Sequence, residues 1–488
     1  MTHNSDLRLI GVDAAVDAAA TGETLKAGFG RATGGTPIKT MSAGDRPGQP
    51  LGRASIAAFA VFVVGAVLTY VAQVVTARII GADSYGVYAY VLAWVTLLGY
   101  FSTLGFHVSL LRFVPAYQAK EEWALVRGVI LYSQRGAAGT AISIVLIGVC
   151  GIIGLHGSMR PELAHTFLLG IAAVPFLALH LIGASVVRAF GGIVMALAPE
   201  RIVRDGLLLA IVAAAFWGNL DRLDATLAMA ATLLGSLVML GLVGIFLRRL
   251  RPPALDHVKP AYTAEDWWRP TLPLTVIMIA DSVMSRSGVI ALGLAGNTRD
   301  AGIFAVAFSM TILTALPRMA VATVFAPTVS ALFAREDQAG LQSLSAKAAC
   351  LSLLGTACAA IPLLLLAQPL LAWFGRDFVA GAPIVTILVL GEVFAAACGP
   401  HQHLVTMTGH ERTGAAMLAV CAGANFTACM LMIDSLGMTG AALARTATLI
   451  AWNVAMGVFV YRRLHLMPGL VASIKAVPAR KRAADCGV

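Results

Sequence analysis

The sequence predicts an all-α polytopic membrane protein of about twelve transmembrane helices, on three observations. Of its 488 residues, 58% are apolar and only 12% charged, against about half and about a quarter in soluble domains. The apolar residues fall into blocks of about twenty, the length at which a helix crosses the hydrocarbon of a bilayer. Between the blocks lie short polar segments that carry most of the 35 Lys and Arg. This composition excludes a soluble enzyme core. The net charge of +10 is spread over those segments, as expected for residues that set membrane orientation, and does not point to nucleic acid. Seven cysteines with no CxxC pair read as reduced small hydrophobes, not as a disulfide framework or a metal site.

In chain order, residues 1–52 are rich in Gly, Ala, Thr and Asp, lack an apolar run of signal-peptide length, and read as a disordered cytoplasmic arm. Met41 is a second candidate start within it. An N-terminal lobe over 53–250 contains spans at 54–78, 86–111, 128–154, 165–188, 205–219 and 225–247. Residues 251–270 form a linker in which Trp267 and Trp268, beside Tyr262 and Arg269, read as an interfacial amphipathic segment. A C-terminal lobe over 271–463 follows, with spans at 271–295, 302–325, 346–368, 383–405, 414–433 and 438–461. Residues 464–488 form a basic tail. Placing the N-terminus inside leaves only Arg78, Arg160, Arg222, Arg299 and Arg376 on the outer face, which puts both termini in the cytoplasm.

The chain also carries an internal repeat. Tyr85-Gly86-Val87-Tyr88-Ala89, after the first span, overlays Ala301-Gly302-Ile303-Phe304-Ala305, after the seventh, and each copy runs one span into a Pro-containing exit at Pro115 or Pro327. Six spans per copy is an even number, so the copies share one topology. The axis relating them lies along the membrane normal, with a cavity between the two six-helix lobes.

The run from Ala77 to Tyr88, followed by Leu111-Arg112-Phe113-Val114, resembles the polysaccharide (O-antigen type) flippases of the MATE-like multidrug/oligosaccharidyl-lipid/polysaccharide superfamily. Gly375-Arg376-Asp377-Phe378, Thr408-Gly409-His410-Glu411-Arg412, Asn425 and Gly437-Met438-Thr439-Gly440 are similar to that family's closing spans. The likeness covers roughly residues 53–463. It departs at Gly288, five positions before Gly293, where such proteins often carry an acidic residue. The resemblance implies two lobes in alternating access, moving a polyprenyl-pyrophosphate-linked oligosaccharide across the bacterial inner membrane for O-antigen or exopolysaccharide synthesis. It implies no covalent chemistry and no cofactor, and as partners the membrane lipids and polysaccharide polymerase or assembly proteins.

An ionisable group at bilayer depth costs about 2.5–3.5 kcal/mol, so one that persists faces water or a partner. Six stand within spans: Arg135, Asp281, Arg286, Arg318, Glu392 and Arg445. In Asp281-Ser282-Val283-Met284-Ser285-Arg286, Asp281, Ser285, Ser282 and Arg286 fall within about 140° of one another at 100° per residue, so one face is polar. Arg286, Arg318, Arg135 and Arg445, with Ser285, form a candidate cationic chamber for pyrophosphate, because guanidinium forks bind phosphate oxygens in pairs. The competing reading is interhelical pairing with Asp281 or Glu392. Those two carboxylates are candidates for coupling to H+ or Na+, since one charge crossing 100 mV supplies about 2.3 kcal/mol. His401 and His403, two apart, make a poor metal pair. Pro317 and Pro400 are candidate helix breaks, the first placed to aim Arg318 inward. The alternative function is an ion-coupled exporter of organic cations from the same superfamily, but its cavity calls for acidic and aromatic groups. A membrane-embedded glycosyltransferase or ligase needs a large outer loop that the spans leave no room for.

Overall fold

The computed structural model describes residues 51–467 and 469 apart from 156, 158, 219–222 and 336, and omits the side chains of 51–59, 155, 323, 324, 326, 327, 330, 331, 334 and 411. The expected N-terminal arm and basic tail lie almost wholly outside the described residues. The helices are α1 (Leu51–Ser102), α2 (Phe106–Ala119), α3 (Trp123–Leu155), α4 (Pro161–Ala189), α5 (Ile193–Ala198), α6 (Arg204–Trp217) and α7 (Ala225–Leu250). They are followed by α8 (Ala264–Leu294), α9 (Thr298–Ala334), α10 (Gln338–Leu365), α11 (Ala367–Ala372), α12 (Ala382–Cys398), α13 (His401–Met407) and α14 (Glu411–Leu464). No strand occurs among the described residues.

Nine helical stretches among the described residues are long and apolar enough to cross a membrane. Two of them exceed a single crossing: α1 has 52 residues and α14 has 54, about 80 Å of helix each where about 30 Å suffices. A glycine breaks each one, Gly81 at φ 80° and Gly437 at φ 56°. Lacking Cβ, glycine takes such angles without the clash a side chain would meet. At Gly437 the chain doubles back, so that Cys429 Sγ reaches the Ala441 carbonyl at 3.8 Å. The fifth span begins earlier than the expected 205–219. Ile193–Ala198 is already helical, and a π-turn over Pro199–Val203 carries the chain into α6.

The burial pattern distinguishes the two ends of the bundle. At the end that holds Gly81 and Gly437, one core runs through both halves of the chain, joining Val91 and Val95 of α1 and Ala228 of α7 to Ile290, Phe304, Leu388 and Ala441. At the opposite end, where the 251–263 connection lies, the cores are separate. Phe106, Val126, Ile182 and Trp267 form one, and Phe325, Leu341, Val405 and Met456 form another. The halves therefore share one core at the glycine end and form two cores at the connection end, where α8 still touches the first half through Thr275 Oγ1, which donates to the Leu104 carbonyl at 2.9 Å.

At the glycine end the two copies of the repeated motif meet. A Cβ on Gly302 would stand 2.7 Å from Gly86 Cα, and one on Gly86 would stand 2.0 Å from the Thr298 carbonyl oxygen. Neither glycine can carry a side chain without the backbones moving apart. Ser309 Oγ donates to Gln73 Oε1 at 3.0 Å, and the Tyr85 and Phe378 rings pack edge to face 5.8 Å apart, adding two further ties across the same seam.

The expected linker of 251–270 is shorter in the structure, because α8 begins at Ala264. Trp267 is fully buried and donates to Tyr117 Oη at 3.0 Å, while Trp268 donates to Tyr132 Oη at 2.9 Å. The pair is therefore packed at the start of a helix. Capping each indole N–H with a phenol lets the aromatic bodies bury at no polar cost. The connection itself is pinned to α3. Arg127 Nη1 donates to the carbonyls of Leu255, Asp256 and Val258 at 3.1, 3.3 and 2.8 Å, and Ala261 N–H donates to the Ala124 carbonyl at 3.0 Å. Charge-assisted bonds contribute about 1.5–3 kcal/mol each. Arg127→Ala is accordingly expected to free residues 251–263 and sharpen proteolytic cleavage there; an unchanged cleavage pattern would show that the clamp does not hold the connection.

Candidate functional site

Helix α8 carries the central polar run between its two apolar ends. Asp281 is exposed and Ser285 and Arg286 are half-buried, although this segment is the middle of a crossing-length helix. Ser282 is buried at 7%, so the open face is narrower than expected. The face centres on Asp281 and Ser285, about 40° apart, while Ser282, about 100° round, turns into packing. The long stem of Arg286 lets its head return toward the open side. Arg286 lies within electrostatic reach of Asp281 on its own helix and of Tyr100 and Arg204 across the seam. Among the described residues it has no ion pair or direct hydrogen bond.

Three further predicted residues gather beside it. Arg318 Nη2 and Glu392 Oε2 form an ion pair at 3.0 Å, with the glutamate side chain only 11% exposed. Glu392 thus stands as the charge partner of Arg318, the competing reading of the sequence, and not as an unpaired carboxylate. Arg445 donates to the Met284 carbonyl at 2.5 Å and lies over the Phe308 ring, 4.5 Å from its centroid, a cation–π arrangement. Asp281 sits within electrostatic reach of Arg445, Arg318 and Arg286. A carboxylate accessible in mid-helix and within reach of three arginines is what a hydrated gap between the halves calls for.

Breaking the Arg318–Glu392 pair leaves a half-buried guanidinium unmatched. Fully buried pairs cost about 3–5 kcal/mol to break and exposed ones about 0–1, so this intermediate pair is worth about 1–3 kcal/mol. Glu392→Gln should lower the thermal midpoint in detergent and Glu392→Asp much less; equal midpoints for all three proteins would show that the pair is not holding α9 to α12.

Helix α9 runs unbroken through Pro317. The ring seats on Gly355, whose added Cβ would fall 2.5 Å from Pro317 Cβ, and Thr356 Oγ1 donates to the Thr314 carbonyl at 3.0 Å. Arg318 reaches Glu392 from the turn that follows this proline. Pro400 does break its helix: α12 stops at Cys398, Gly399 takes φ 86°, and α13 restarts at His401.

Arg135 stands apart. Its Nη1 donates to Tyr262 Oη at 3.4 Å, and it lines a crevice with Gln134, Leu179 and Leu240. No contact among the described residues joins it to the other three arginines.

The sequence reading missed the contribution of the N-terminal half. Arg201 and Arg204 fall between the expected spans 165–188 and 205–219, but they lie on the π-turn and the first turn of α6. Arg204 Nε and Asp205 Oδ1 pair at 2.8 Å, and the buried Asp205 also accepts from Thr69 Oγ1 of α1. Arg201 lies over the Phe62 ring, 4.8 Å from its centroid. Tyr100 lies in the fields of Glu200, Arg286, Arg204 and Arg201, which links the two sets across the seam. The available signal was the charged Glu200-Arg201…Arg204-Asp205 pattern running straight on from apolar Ile193–Ala198; Pro199 disguised the join. Counting both halves, five arginines face four carboxylates. Two of the carboxylates are consumed by Arg204 and Arg318.

Gly288, the departure noted above, is packed against Phe304: an added Cβ would meet the ring at 2.4 Å. A carboxylate there has no room beside this aromatic.

The family described as polysaccharide biosynthesis protein matches residues 51–333, more than half of the chain. The protein belongs to that family. Three solved structures share its fold. An inward-facing multidrug resistance MATE family transporter of the MOP superfamily aligns with a TM-score of 0.70 at 14% identity, over 81% of this chain and 94% of the other. The lipid II flippase MurJ in an inward closed conformation gives 0.65 at 17%, over 83% and 87%. A MOP superfamily transporter from Pyrococcus furiosus, described as having a binding pocket of reverse polarity, gives 0.60 at 14%, over 85% and 95%. No curated protein matches the chain. Family membership and fold together make this a multi-pass membrane protein of transporter architecture.

Proposed function

We propose that the protein is a flippase that carries a polyprenyl-pyrophosphate-linked oligosaccharide from the cytoplasmic to the outer leaflet of a bacterial inner membrane, for cell-surface polysaccharide synthesis. Twelve crossings form two six-helix lobes, N-terminal over 53–250 and C-terminal over 271–463, with both termini cytoplasmic. The observation that carries the reading is Arg286: a guanidinium at bilayer depth, without an ion-pair partner among the described residues, at the seam between the lobes. Such a charge is costly unless water or a ligand serves it, and a diphosphate offers the paired oxygens that a guanidinium fork matches. Arg204 from the first lobe and Arg445 and Arg318 from the second surround the position with further positive charge. Two halves that share a core at one end and have separate cores at the other suit alternating access, with the separate end cytoplasmic. Family membership supports the polysaccharide pathway.

Asp281 is the coupling candidate that remains accessible, and a proton or sodium ion taken there would change the charge facing the three arginines. The same accessible carboxylate is the feature that favours the second reading, an exporter of organic cations. Deleting the gene should cause lipid-linked oligosaccharide to accumulate on the inner leaflet, with relief by the intact gene. Normal surface polysaccharide together with heightened sensitivity to cationic drugs would support the exporter.

A further inference from the structure

We propose that the crevice between α3, α4 and α7, on the outside of the N-terminal half, binds an anionic membrane phospholipid, with its phosphate on Arg135 and an acyl chain along the apolar wall. The crevice measures about 350 Å³ and is lined by Gln134, Arg135, Leu179, Gly183, Leu240 and Gly244, among others. A second hollow of about 170 Å³ shares Gln134 and Leu247 with it and runs on to Arg127 and Arg251. Together they fall in the size range of small-molecule sites, about 300–1,000 Å³. Ile142 of α3 and Ile245 of α7, on two of the helices that line it, are 53% and 48% exposed, so these helices turn an apolar face outward, as a lipid-covered surface requires.

Charge selects the occupant. Of the three arginines that border the hollows, Arg127 is spent on three carbonyls and Arg251 on Asp256. Arg135 is exposed, and its one hydrogen bond is the 3.4 Å contact to Tyr262. No carboxylate lines either hollow. The exposed Arg248 and Arg249 close the same end of α7, so the local field attracts an anion. One guanidinium with spare donors, beside an apolar wall at the level where positive residues collect, matches one phosphodiester with a chain below it. Basic pockets between transmembrane helices bind phospholipid headgroups in this manner. The proposal stands apart from the central site and from the cargo assigned to it.

The test uses the full chain purified in mild detergent, with mixed micelles of phosphatidylglycerol or phosphatidylcholine as probes and native mass spectrometry to count retained lipid. Phosphatidylglycerol should be retained and raise the thermal midpoint, and phosphatidylcholine should do so far less. Arg135→Ala should weaken retention about tenfold or more, the size of one lost charge-assisted contact. Gly244→Phe should also abolish retention with Arg135 intact, because a Cβ at Gly244 meets no heavy atom within 4 Å and the ring fills the crevice without crowding the helices. Equal retention of the two lipids, or retention of phosphatidylglycerol surviving in either folded variant, would overturn the proposal. So would recovery of a polyprenyl phosphate carrier as the species that Arg135→Ala releases.

Discussion

Arg286→Ala is expected to slow transport of the lipid-linked substrate about ten- to a hundred-fold while leaving the protein folded. The reason is the guanidinium's isolation. Among the described residues Arg286 makes no direct hydrogen bond or ion pair, so its removal strips no structural contact from a neighbour. What disappears is a charge at the seam, beside Tyr100 and Arg204 of one half and Asp281 of the other. A charge-assisted contact to phosphate is worth about 1.5–3 kcal/mol, hence the expected factor. Arg286→Lys should recover part of the rate, because a lysine keeps the charge but loses the planar fork. Proteoliposome transport of a pyrophosphate-linked oligosaccharide reads both variants, and near-normal transport by Arg286→Ala would remove this residue from the site.

Gly302→Leu should unseal the glycine end. A Cβ alone would lie 2.7 Å from Gly86 Cα and 2.9 Å from its nitrogen, closer than real Cβ atoms stand, and the obstacle is backbone that cannot rotate away. Overpacking a well-filled seam costs about 1–3 kcal/mol even where side chains can adjust, and here they cannot. The expected outcome is a population shifted away from the closed arrangement. A cysteine placed at Ser285 should then react faster with an impermeant maleimide from the glycine end, and the thermal midpoint should fall. Unchanged labelling and midpoint would show that the contact between the two motifs is not what closes that end.

Much of this architecture was legible because hydrocarbon enforces a simple rule: apolar helices of crossing length with charges at their ends. The repeat was legible for a related reason. Gly86 and Gly302 are required by backbone contact, and such a requirement leaves a glycine in the sequence at the same place in each copy. The seam charges of α8 stood out because Asp281 and Arg286 interrupt an otherwise apolar run. Arg201, Arg204 and Asp205 did not, since a helix interrupted by Pro199 looks like a loop followed by a short span. Partner choice was not legible either. That Glu392 takes Arg318, or that Arg445 takes the Met284 carbonyl, depends on how α8, α9, α12 and α14 rotate against one another. Apolar periodicity is weak on helices that face lipid on one side and protein on the other. The partners of the two tryptophans of α8 were not legible for the same reason: amphipathic rings read alike at an interface and in a core, and Tyr117 and Tyr132 lie far away in the sequence.

The central claim, that an anionic lipid-linked glycan and not an organic cation is the cargo, is tested most directly by reconstituting the pure protein in liposomes and measuring both. The account predicts leaflet-to-leaflet movement of a fluorescent polyprenyl-pyrophosphate oligosaccharide that free pyrophosphate and Arg286→Ala both slow, with no accumulation of ethidium under a proton or sodium gradient. Gradient-driven ethidium transport that depends on Asp281, with the glycolipid left in its original leaflet, would contradict it.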